Sequence, residues 1–419
     1  MHLFCRRLAL FMGSVLLPFS TLQAASLTVL TSFSEAPVKA VIEGFAEQYP
    51  GIRVEVIYRR TIPSLRLLTE ADAPQVDIIM SSSPTFFNTL DKAGLLAALP
   101  NETMPPKWLA PHTLGLGNKV AVVGYSSSGI MYNRHYLAKY QLPQPTSWQQ
   151  LASPLFMGHV MMSSPSQSGT THMMVESVLQ QYGWQQGWAL LMRLGGNLSA
   201  ITARSFGVSD GISRGLAGAG PVIDSYALTS QARFDHVGFN IMPDSVILPT
   251  YLGVPRRSDN PHSGALFIQY LLSDKGQGIL ATPGMAKATL SQPGLARQTR
   301  YVTDKTLLYR RAGLLKALFE QAITQQLPRL KMTWQGINGL NTHGEPWRVA
   351  LLEQAVAKAS MPPLSEQEAQ DPALLALFDG LYDREQGNPQ AERVMHQWRQ
   401  ATEARLNEAQ RLVEQAARP

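Results

Sequence analysis

The chain has 419 residues, of which 45% are hydrophobic and 16% are charged, and its formal net charge is +6. This length is too great for one compact core, so we expect two or more domains. The composition is that of an ordinary globular protein and excludes a polytopic membrane protein, because no run after the N-terminus approaches about 20 apolar residues. The mild basic excess suits an anionic ligand, although solvated basic faces are common.

Residues 1–24 have the pattern of a secretory signal peptide, with basic residues before a short apolar run and small residues at the expected cleavage site. The only cysteine, Cys5, lies before the apolar run. The mature chain is therefore expected to lack disulfides, a thiolate nucleophile and cysteine metal ligands. The sequence predicts an exported protein.

The first predicted elements form a β-α-β unit. Ser26–Leu30 and Ile52–Tyr58 have the pattern of strands, and Val38–Tyr49 between them has helical spacing of its apolar residues. This order predicts a parallel sheet. Arg60 follows the carboxyl end of the second strand, where open α/β sheets bind their ligands.

Serines follow the third predicted strand, Val76–Met80. Ser82 and Ser83 lie just before Pro84, which is suited to the first position of the next helix. This stretch predicts an anion site at a helix N-terminus. An ordinary helix cap explains it equally well when it is considered alone.

A long extended segment is predicted from Lys119 to Tyr132, interrupted by a serine run that ends at Ser128. Such a segment can cross between two lobes. Leu252–Pro255 is predicted to provide the return crossing.

The run Ser166–His172 predicts an anion cradle at the start of a helix. Ser168 is a suitable N-cap, and Gly169 permits close approach of a ligand to the backbone. The hydroxyls of Thr170 and Thr171 stand beside the free amide groups of the first helical turn. The alternative is a capped helix without a ligand.

Two further strands are predicted to end at polar residues. Ile201–Phe206 is predicted to be a strand that ends in a loop with Arg204 and Ser205. Pro221–Ile223 is predicted to be a strand that ends at Asp224-Ser225-Tyr226.

From residue 305 to the end the chain is predicted to be mostly helical. Residues 391–417 place Trp398 and other apolar residues on or near one face. The face fits a helix packed on the rest of the protein or a helix that binds a partner.

The order of several short segments resembles a known family. These segments are Thr28–Thr31, Phe45–Ile52, Val76–Ile79, Gly94–Leu96 and Phe267–Gln277. Over residues 26–290 the chain resembles the periplasmic solute-binding proteins of ABC transporters, in the branch of ferric-ion and sugar-phosphate receptors. The resemblance implies an α/β, two-lobed periplasmic binding protein fold (type II) with hinge-crossing strands and, here, a helical C-terminal extension.

The resemblance also implies a division of the chain. We expect the first lobe to comprise residues 26–125 and 250–300, and the second lobe residues 126–249. Residues 301–419 would form the helical extension. The two lobes would close on the ligand like a hinged clamp.

Within that branch the chain is most similar to members that regulate phosphoglycerate transport, at Ser166–Glu176, Ile201–Val208 and Val222–Tyr226. The similarity implies a receptor for phosphoglycerate or a related small organophosphate, which relays ligand availability to a membrane sensor that controls uptake. The alternative is a receptor that delivers a sugar phosphate or ferric ion to an ABC permease. We expect a monomer without a cofactor.

Ferric-ion receptors of this branch carry a tandem tyrosine pair, usually with a histidine and a carboxylate. This chain has the single Tyr226 at the pair and Ser34 where the histidine would fall. Iron binding is therefore not expected. Ser34 and Asp224 instead suit ligand hydroxyls.

The candidate site combines the predicted helix starts with one guanidinium. We assign the phosphate to Ser168, Gly169, Thr170 and Thr171, and a second anionic group to Arg204 with Ser205. The remaining candidates are Ser34, Ser82, Ser83, Ser128, Asp224 and Tyr226. Arg60 and His172 are weaker candidates, and a surface salt bridge is the alternative for Arg204.

Other function classes fit the sequence less well. Gly207–Gly211 matches the G-x-S-x-G elbow of hydrolases, but an elbow requires a strand that runs directly into a tight turn and helix, and Arg204–Phe206 intervenes. The histidines lack metal-ligand spacing, and the arginine pairs are isolated from one another. We expect a binding protein, with no catalytic, metal-binding or nucleic-acid-binding site.

Overall fold

The computed structural model describes residues 25–70, 74–100, 103–242, 244–291, 299, 301–340, 344–380 and 387–418. The predicted signal peptide, residues 1–24, lies outside the described residues. Within the described ranges, no helix has both the length and the apolar character that crossing a membrane requires.

The described residues form nine strands. They are β1 (Ala25–Thr31), β2 (Ile52–Tyr58), β3 (Ile78–Ser81), β4 (Ala121–Asn133), β5 (Val160–Ser163), β6 (Leu198–Thr202), β7 (Ala219–Ile223), β8 (Val237–Ile241) and β9 (Ile247–Gly253).

The same residues form seventeen α-helices. They are α1 (Glu35–Gln48), α2 (Thr61–Thr69), α3 (Pro84–Lys92), α4 (Arg134–Lys139), α5 (Trp148–Leu151), α6 (Gly169–Tyr182), α7 (Trp184–Asn197), α8 (Ser205–Ser213), α9 (Asp224–Gln231), α10 (Pro261–Leu272), α11 (Asp274–Ala281), α12 (Lys305–Arg310), α13 (Ala312–Phe319), α14 (Leu327–Gly339), α15 (Pro346–Ser360), α16 (Pro372–Phe378) and α17 (Pro389–Ala416). A π-helical segment, Glu320–Thr324, follows α13.

The first lobe is built on β1, which pairs in parallel with β2 and β3. Its helices are α1, α2, α3, α10 and α11. Val38, Val41 and Phe45 recur three and four residues apart along α1 and are fully buried in the core of this lobe. Pro50 cannot continue the helix, and the chain turns into β2. The predicted parallel β-α-β unit is confirmed.

Two strands cross between the lobes. The strand order is β2-β1-β3-β9-β4-β7-β5-β6, and β8 also pairs with β4. β4 pairs with β9 as far as Ser127 and with β7 and β8 from Ser128 onward. The long extended segment predicted near residues 119–132 is thus one continuous strand, and β9 is the return crossing.

The second lobe contains the other half of β4 with β5 to β8 and α4 to α9. β5 pairs in parallel with β6 and β7, and β4 pairs antiparallel with β7. One predicted boundary is wrong: β6 ends at Thr202, and Ser205 already begins α8. Arg204 takes the extended N-cap conformation, so the polar residues that we placed in a loop form the start of a helix.

The extension, α12 to α17, packs mainly on the second lobe. The two share one hydrophobic core, which joins Trp188 and Leu191 of α7 to Leu330 of α14 and Leu406 of α17. Gly196 leaves no room for a Cβ beside Trp334. The interpretation of residues 391–417 as a packed helix is confirmed, because α17 buries its apolar face against α14 and α15.

The extension also contacts the first lobe over a smaller area. The Lys305 Nζ donates to the backbone oxygen of Thr113 at 2.5 Å. Tyr309 packs against a hydrophobic cluster of the first lobe that includes Leu65 and Phe86. The extension therefore shares its core with the second lobe and also contacts the first lobe.

Candidate ligand-binding site

A pocket lies between the two lobes. The first lobe contributes Ser32, Phe33, Arg60, Thr61, Ser81, Ser82 and Ser83. The second lobe contributes Gln167, Ser168, Gly169, Thr170, Arg204, Ser205, Phe206, Ile223 and Tyr226. No aspartate or glutamate is among these lining residues.

The pocket is surrounded by helix starts. α2 and α3 begin beside it in the first lobe, and α6, α8 and α9 begin beside it in the second lobe. The first amide groups of a helix lack intrahelical partners and carry the positive end of its dipole. Several such ends directed at one cavity make it suitable for a small anion.

The start of α6 has the geometry that its sequence predicts. The Ser168 Oγ accepts from the backbone N–H of Thr171 at 3.3 Å, so this serine is the N-cap. The Thr170 and Ser168 hydroxyls are 3.0 Å apart, and the Thr170 Oγ1 donates to the Ser205 Oγ at 3.2 Å. These hydroxyls form a continuous polar wall on the second-lobe side.

The lobes touch each other across the pocket. A Cβ at Gly169 would lie 2.5 Å from the Cβ and Oγ of Ser83 in the opposite lobe. Next to this contact, the Arg60 guanidinium donates to the side-chain oxygen of Gln167. The structure is therefore a closed clamp in which the two walls are in direct contact.

Two arginines face the pocket from opposite lobes. Partial burial lowers the pKa of Arg204, and the positive charge of Arg60 lowers it further, although the Tyr226 phenol acts in the other direction. The Arg204 guanidinium also lies over the Phe206 ring, 5.5 Å from its centroid. Two guanidinium groups that line one pocket favour an anionic ligand there.

Tyr226 lines the pocket from the second lobe. Ser34 of the first lobe acts electrostatically on the Tyr226 phenol across the gap between the lobes. Burial raises the pKa of Tyr226 to about 12, while Arg204 and Ser34 oppose the rise. The phenol is therefore protonated at neutral pH and available as a hydrogen-bond donor.

Eight of the twelve candidate residues line the pocket. They are Ser82, Ser83, Ser168, Gly169, Thr170, Arg204, Ser205 and Tyr226. Ser34 is not among the lining residues, and it acts electrostatically on Tyr226. The other three, Ser128, Thr171 and Asp224, are buried away from the lining.

Each of these three side chains has a structural partner. The Ser128 Oγ accepts from the backbone N–H of Val246 at 3.0 Å, which ties the crossing strands together. The Thr171 hydroxyl bonds the hydroxyls of Ser163 and Ser168. We therefore limit the proposal of direct ligand contact to the eight lining residues.

Asp224 belongs to a buried polar cluster at the crossing strands. Its carboxylate accepts from the backbone N–H groups of Ser127 at 2.8 Å and Ser225 at 2.6 Å. Lys287 of the first lobe donates to the Ser126 Oγ at 2.8 Å in the same cluster. Burial raises the pKa of Asp224 to about 6 and lowers that of Lys287 to about 8, and each charge opposes the shift of the other.

The sequence analysis did not assign several lining residues. They are Ser32, Phe33, Thr61, Gln167, Phe206 and Ile223, whereas Ser81 belongs to the serine run that was expected to face the start of α6. Their positions could have indicated a role in the site, because all of them lie at a strand end or next to a helix start.

Arg60, named as a weaker candidate, lines the pocket, whereas His172 is fully buried outside it. Burial lowers the pKa of His172 well below its usual value, so its ring is neutral.

The G-x-S-x-G sequence does not form a nucleophile elbow. Gly207–Gly211 lies inside α8, where the buried Ser209 donates to the backbone oxygen of Phe206 at 3.1 Å. Among the described residues, no group of three or more His, Cys, Asp or Glu side chains is arranged to hold a metal ion. The pocket offers hydroxyls, amides and guanidinium groups.

Comparison with known proteins gives consistent results. The family model of bacterial extracellular solute-binding proteins matches residues 73–301. The phosphoglycerate transport regulatory protein PgtC of Salmonella typhimurium is 36% identical over 373 residues, which is 86% of this chain and 92% of that protein.

Two solved structures have the same fold. The periplasmic binding protein P5PA matches with a TM-score of 0.63 and 21% identity, over 71% of this chain and 99% of its own. AfuA from Actinobacillus pleuropneumoniae, solved with fructose-6-phosphate bound, matches with a TM-score of 0.61 and 18% identity, over 76% of this chain and 99% of its own. Both are two-lobed binding proteins.

Proposed function

The chain belongs to the bacterial extracellular solute-binding proteins, and on that premise we propose that it is a periplasmic receptor for phosphoglycerate or a related small organophosphate. Ligand binding would be relayed to a membrane sensor that controls phosphoglycerate uptake. The similarity to a phosphoglycerate transport regulatory protein over 86% of the chain supports this role.

One observation supports the ligand class most strongly. Arg60 and Arg204 face the same pocket from opposite lobes, and no acidic side chain is among the lining residues. A cationic ligand would meet two like charges, whereas a dianion would gain charge-assisted hydrogen bonds from both lobes. Binding in a site shielded from water strengthens each of these bonds.

We assign the phosphate to the start of α6 and the facing start of α3. Ser168, Gly169 and Thr170 supply hydroxyl and amide donors on one side, and Ser82 and Ser83 supply them on the other. Arg204 with Ser205 would hold the carboxylate of a phosphoglycerate, because the guanidinium fork matches two carboxylate oxygens. Tyr226 would donate to a ligand oxygen.

A sugar phosphate is the alternative ligand. The Ser32 and Ser81 hydroxyls lie 2.8 Å apart at the first-lobe wall and suit ligand hydroxyl groups. Ferric ion is less compatible, since the lining holds one tyrosine, protonated at neutral pH, and no carboxylate.

The remaining parts of the proposal follow from the clamp. The first lobe would comprise residues 26–125 and 250–300, and the second lobe residues 126–249, because β4 pairs with β9 as far as Ser127 and with β7 from Ser128. Residues 301–419 would form the extension. We propose a monomer that binds its ligand without converting it, and that contacts a membrane sensor or a permease. Light scattering of the purified protein tests the monomer.

Calorimetry with 3-phosphoglycerate tests the ligand and the site together. The wild-type protein is expected to bind, and Thr170→Val and Arg204→Ala are each expected to weaken binding about tenfold or more. Arg233→Ala, which removes an exposed arginine of the second lobe, is the matched control and should bind normally. Normal affinity in both site variants would refute the assigned site.

The same titration distinguishes the ligands. Fructose-6-phosphate, inorganic phosphate and ferric citrate are titrated separately into the wild-type protein. Tighter binding of fructose-6-phosphate than of 3-phosphoglycerate would favour the alternative receptor. Binding of ferric citrate alone would contradict the organophosphate proposal.

A further inference from the structure

The extension contacts the loop that leads into α6. Ser164 and Ser166 of this loop both donate through their hydroxyls to the Oε1 atom of Glu320, Ser166 at 2.6 Å. The two hydroxyls are 2.8 Å apart. Glu320 is the first residue of the π-helical segment of the extension. One carboxylate oxygen thus holds two positions of the loop.

The loop is compact, and its hydroxyls are buried. The backbone oxygen of Ser164 accepts from the N–H groups of Gln167 at 3.2 Å and Ser168 at 3.0 Å. Ser164 and Ser166 expose only 4% and 5% of their surface. Without Glu320, these two buried hydroxyls would lose their charged acceptor. Leaving a buried hydroxyl unpaired costs free energy, so the loop conformation would be less stable.

The other side of the same loop forms the pocket. Gln167 and Ser168 line it, and Gln167 accepts from Arg60 of the first lobe. The loop is therefore held between the first lobe and the extension. π-Helical turns are rare and occur often at functional sites, and here the turn begins at the residue that contacts the loop.

We propose that Glu320 is a positioning residue of the ligand site. Its carboxylate holds the loop from Ser164 to Ser168 in the conformation in which Gln167, Ser168 and the first amide groups of α6 face the ligand. The extension is then a component of the site. The proposal rests on the proposed function for the identity of the ligand, and it specifies how the extension and the ligand affect each other.

Two variants of one residue test the proposal. Glu320→Ala removes the acceptor of both serine hydroxyls and is expected to weaken 3-phosphoglycerate binding about tenfold, because the loop is then no longer held in its binding conformation. Glu320→Gln keeps an oxygen that accepts from both serines, so it should restore most of the affinity. Glu403→Ala is the control, since Glu403 pairs with Arg329 within the extension and does not contact the loop.

Hydrogen exchange gives a readout that needs no ligand. Amides of residues 163–172 should exchange faster in Glu320→Ala than in the wild type, Glu320→Gln and Glu403→Ala. In addition, the effects of Glu320→Ala and Ser166→Ala on exchange should be less than additive, because both remove the bond between Ser166 and Glu320.

The outcomes separate this proposal from the proposed function. If the wild-type protein binds no phosphoglycerate, the proposed function fails, and exchange alone decides the positioning role. Unchanged exchange in Glu320→Ala overturns that role. Where the wild type binds, normal affinity of Glu320→Ala overturns it as well, whatever the exchange shows.

Discussion

Gly169 of α6 lies directly against Ser83 at the start of α3, although the two residues belong to opposite lobes. The contact leaves no space for a side chain at position 169. Because the contact bridges the pocket, the lobes can close fully only when residue 169 has no Cβ.

Gly169→Ala is therefore expected to hold the lobes apart. The added Cβ would lie 2.5 Å from the Cβ and Oγ of Ser83, so full closure requires one wall to move. We expect affinity for 3-phosphoglycerate to fall at least about tenfold, since bonds from one lobe are lost. Calorimetry measures the affinity, and small-angle scattering should show a more open protein in the presence of ligand.

A second glycine supplies the control for this substitution. Gly278 lies in α11 with nothing within 4 Å of an added Cβ. Gly278→Ala should leave affinity unchanged and stabilise the helix by roughly 0.5–1 kcal/mol. Equal affinities of the two variants would show that the Ser83 contact does not limit closure.

The geometry of the Arg204 guanidinium can be separated from its charge. Arg204→Lys keeps the positive charge but loses the planar fork and the stacking on Phe206. We expect an affinity between those of the wild type and Arg204→Ala. The affinity of the lysine variant should also depend more steeply on salt, because an ammonium acts mainly as a point charge. Titrations at two ionic strengths test this.

The Asp224–Lys287 cluster predicts how stability depends on pH. Burial lowers the pKa of Lys287 to about 8, below the value of about 10.4 in unfolded chains. Between these values the unfolded state binds more protons, so stability should rise with pH by up to about 1.4 kcal/mol per unit. Below pH 8 both states are protonated and this contribution is constant.

At lower pH, Asp224 contributes to the pH dependence of stability with the opposite sign. Its pKa in the folded state is about 6, above the usual value of about 3.9, so the folded state binds more protons between them. This group therefore lowers stability as pH rises from about 4 to 6.

Urea unfolding of wild type and Lys287→Gln from pH 7 to 10 tests the contribution of Lys287 to the pH dependence of stability. Parallel curves for the two proteins would refute it.

A buried ion pair fastens the extension to α6. The Arg311 guanidinium donates to Glu176 at 2.7 Å from Nη2 and 3.1 Å from Nε, and both side chains are nearly fully buried. Arg311→Ala should destabilise the protein by about 3–5 kcal/mol, because Glu176 then keeps an unpaired charge in the core. Chemical denaturation measures the loss.

Two further variants identify the cause of this loss. Arg311→Met combined with Glu176→Gln removes both charges and should recover much of the stability. Arg329→Ala breaks the more exposed pair with Glu403 and should cost at most about 1 kcal/mol. A similar cost for Arg329→Ala and Arg311→Ala would contradict the importance of burial.

Local signals in the sequence were sufficient for the elements around the pocket. Pro84 after three serines and Ser168 before Gly169 both mark helix starts, and the structure has helices beginning there. The parallel sheet follows from the β-α-β order of the first elements. These features depend on neighbouring residues, so they can be inferred without tertiary contacts.

Contacts between distant residues could not be inferred in this way. The bond between Arg60 and Gln167 joins positions 107 residues apart, and neither residue has a pattern that specifies the other. Asp224 was assigned to ligand hydroxyls, as in sugar-phosphate receptors, because a carboxylate accepts hydrogen bonds from them. Its oxygens instead bond the N–H groups of Ser127 and Ser225, and that depends on how β4 passes the start of α9.

The position of the extension was undetermined for a similar reason. An amphipathic helix indicates that it needs a partner surface but does not specify which one. The small residues of α7, Gly195 and Gly196, provide the close approach for α14, and this is apparent only once the helices are placed.

Because the second lobe and the extension share one core, the second lobe can finish folding only after the extension has been synthesised. Leu406 and Ala409 of α17, which are synthesised after every residue that lines the pocket, complete a core that includes Ile130. A chain truncated before α17 would leave that core uncovered, and it would be recognised as an incompletely folded protein. Nonsense mutations anywhere upstream of α17 should therefore abolish the receptor through proteolysis, even when every residue that lines the pocket is still encoded.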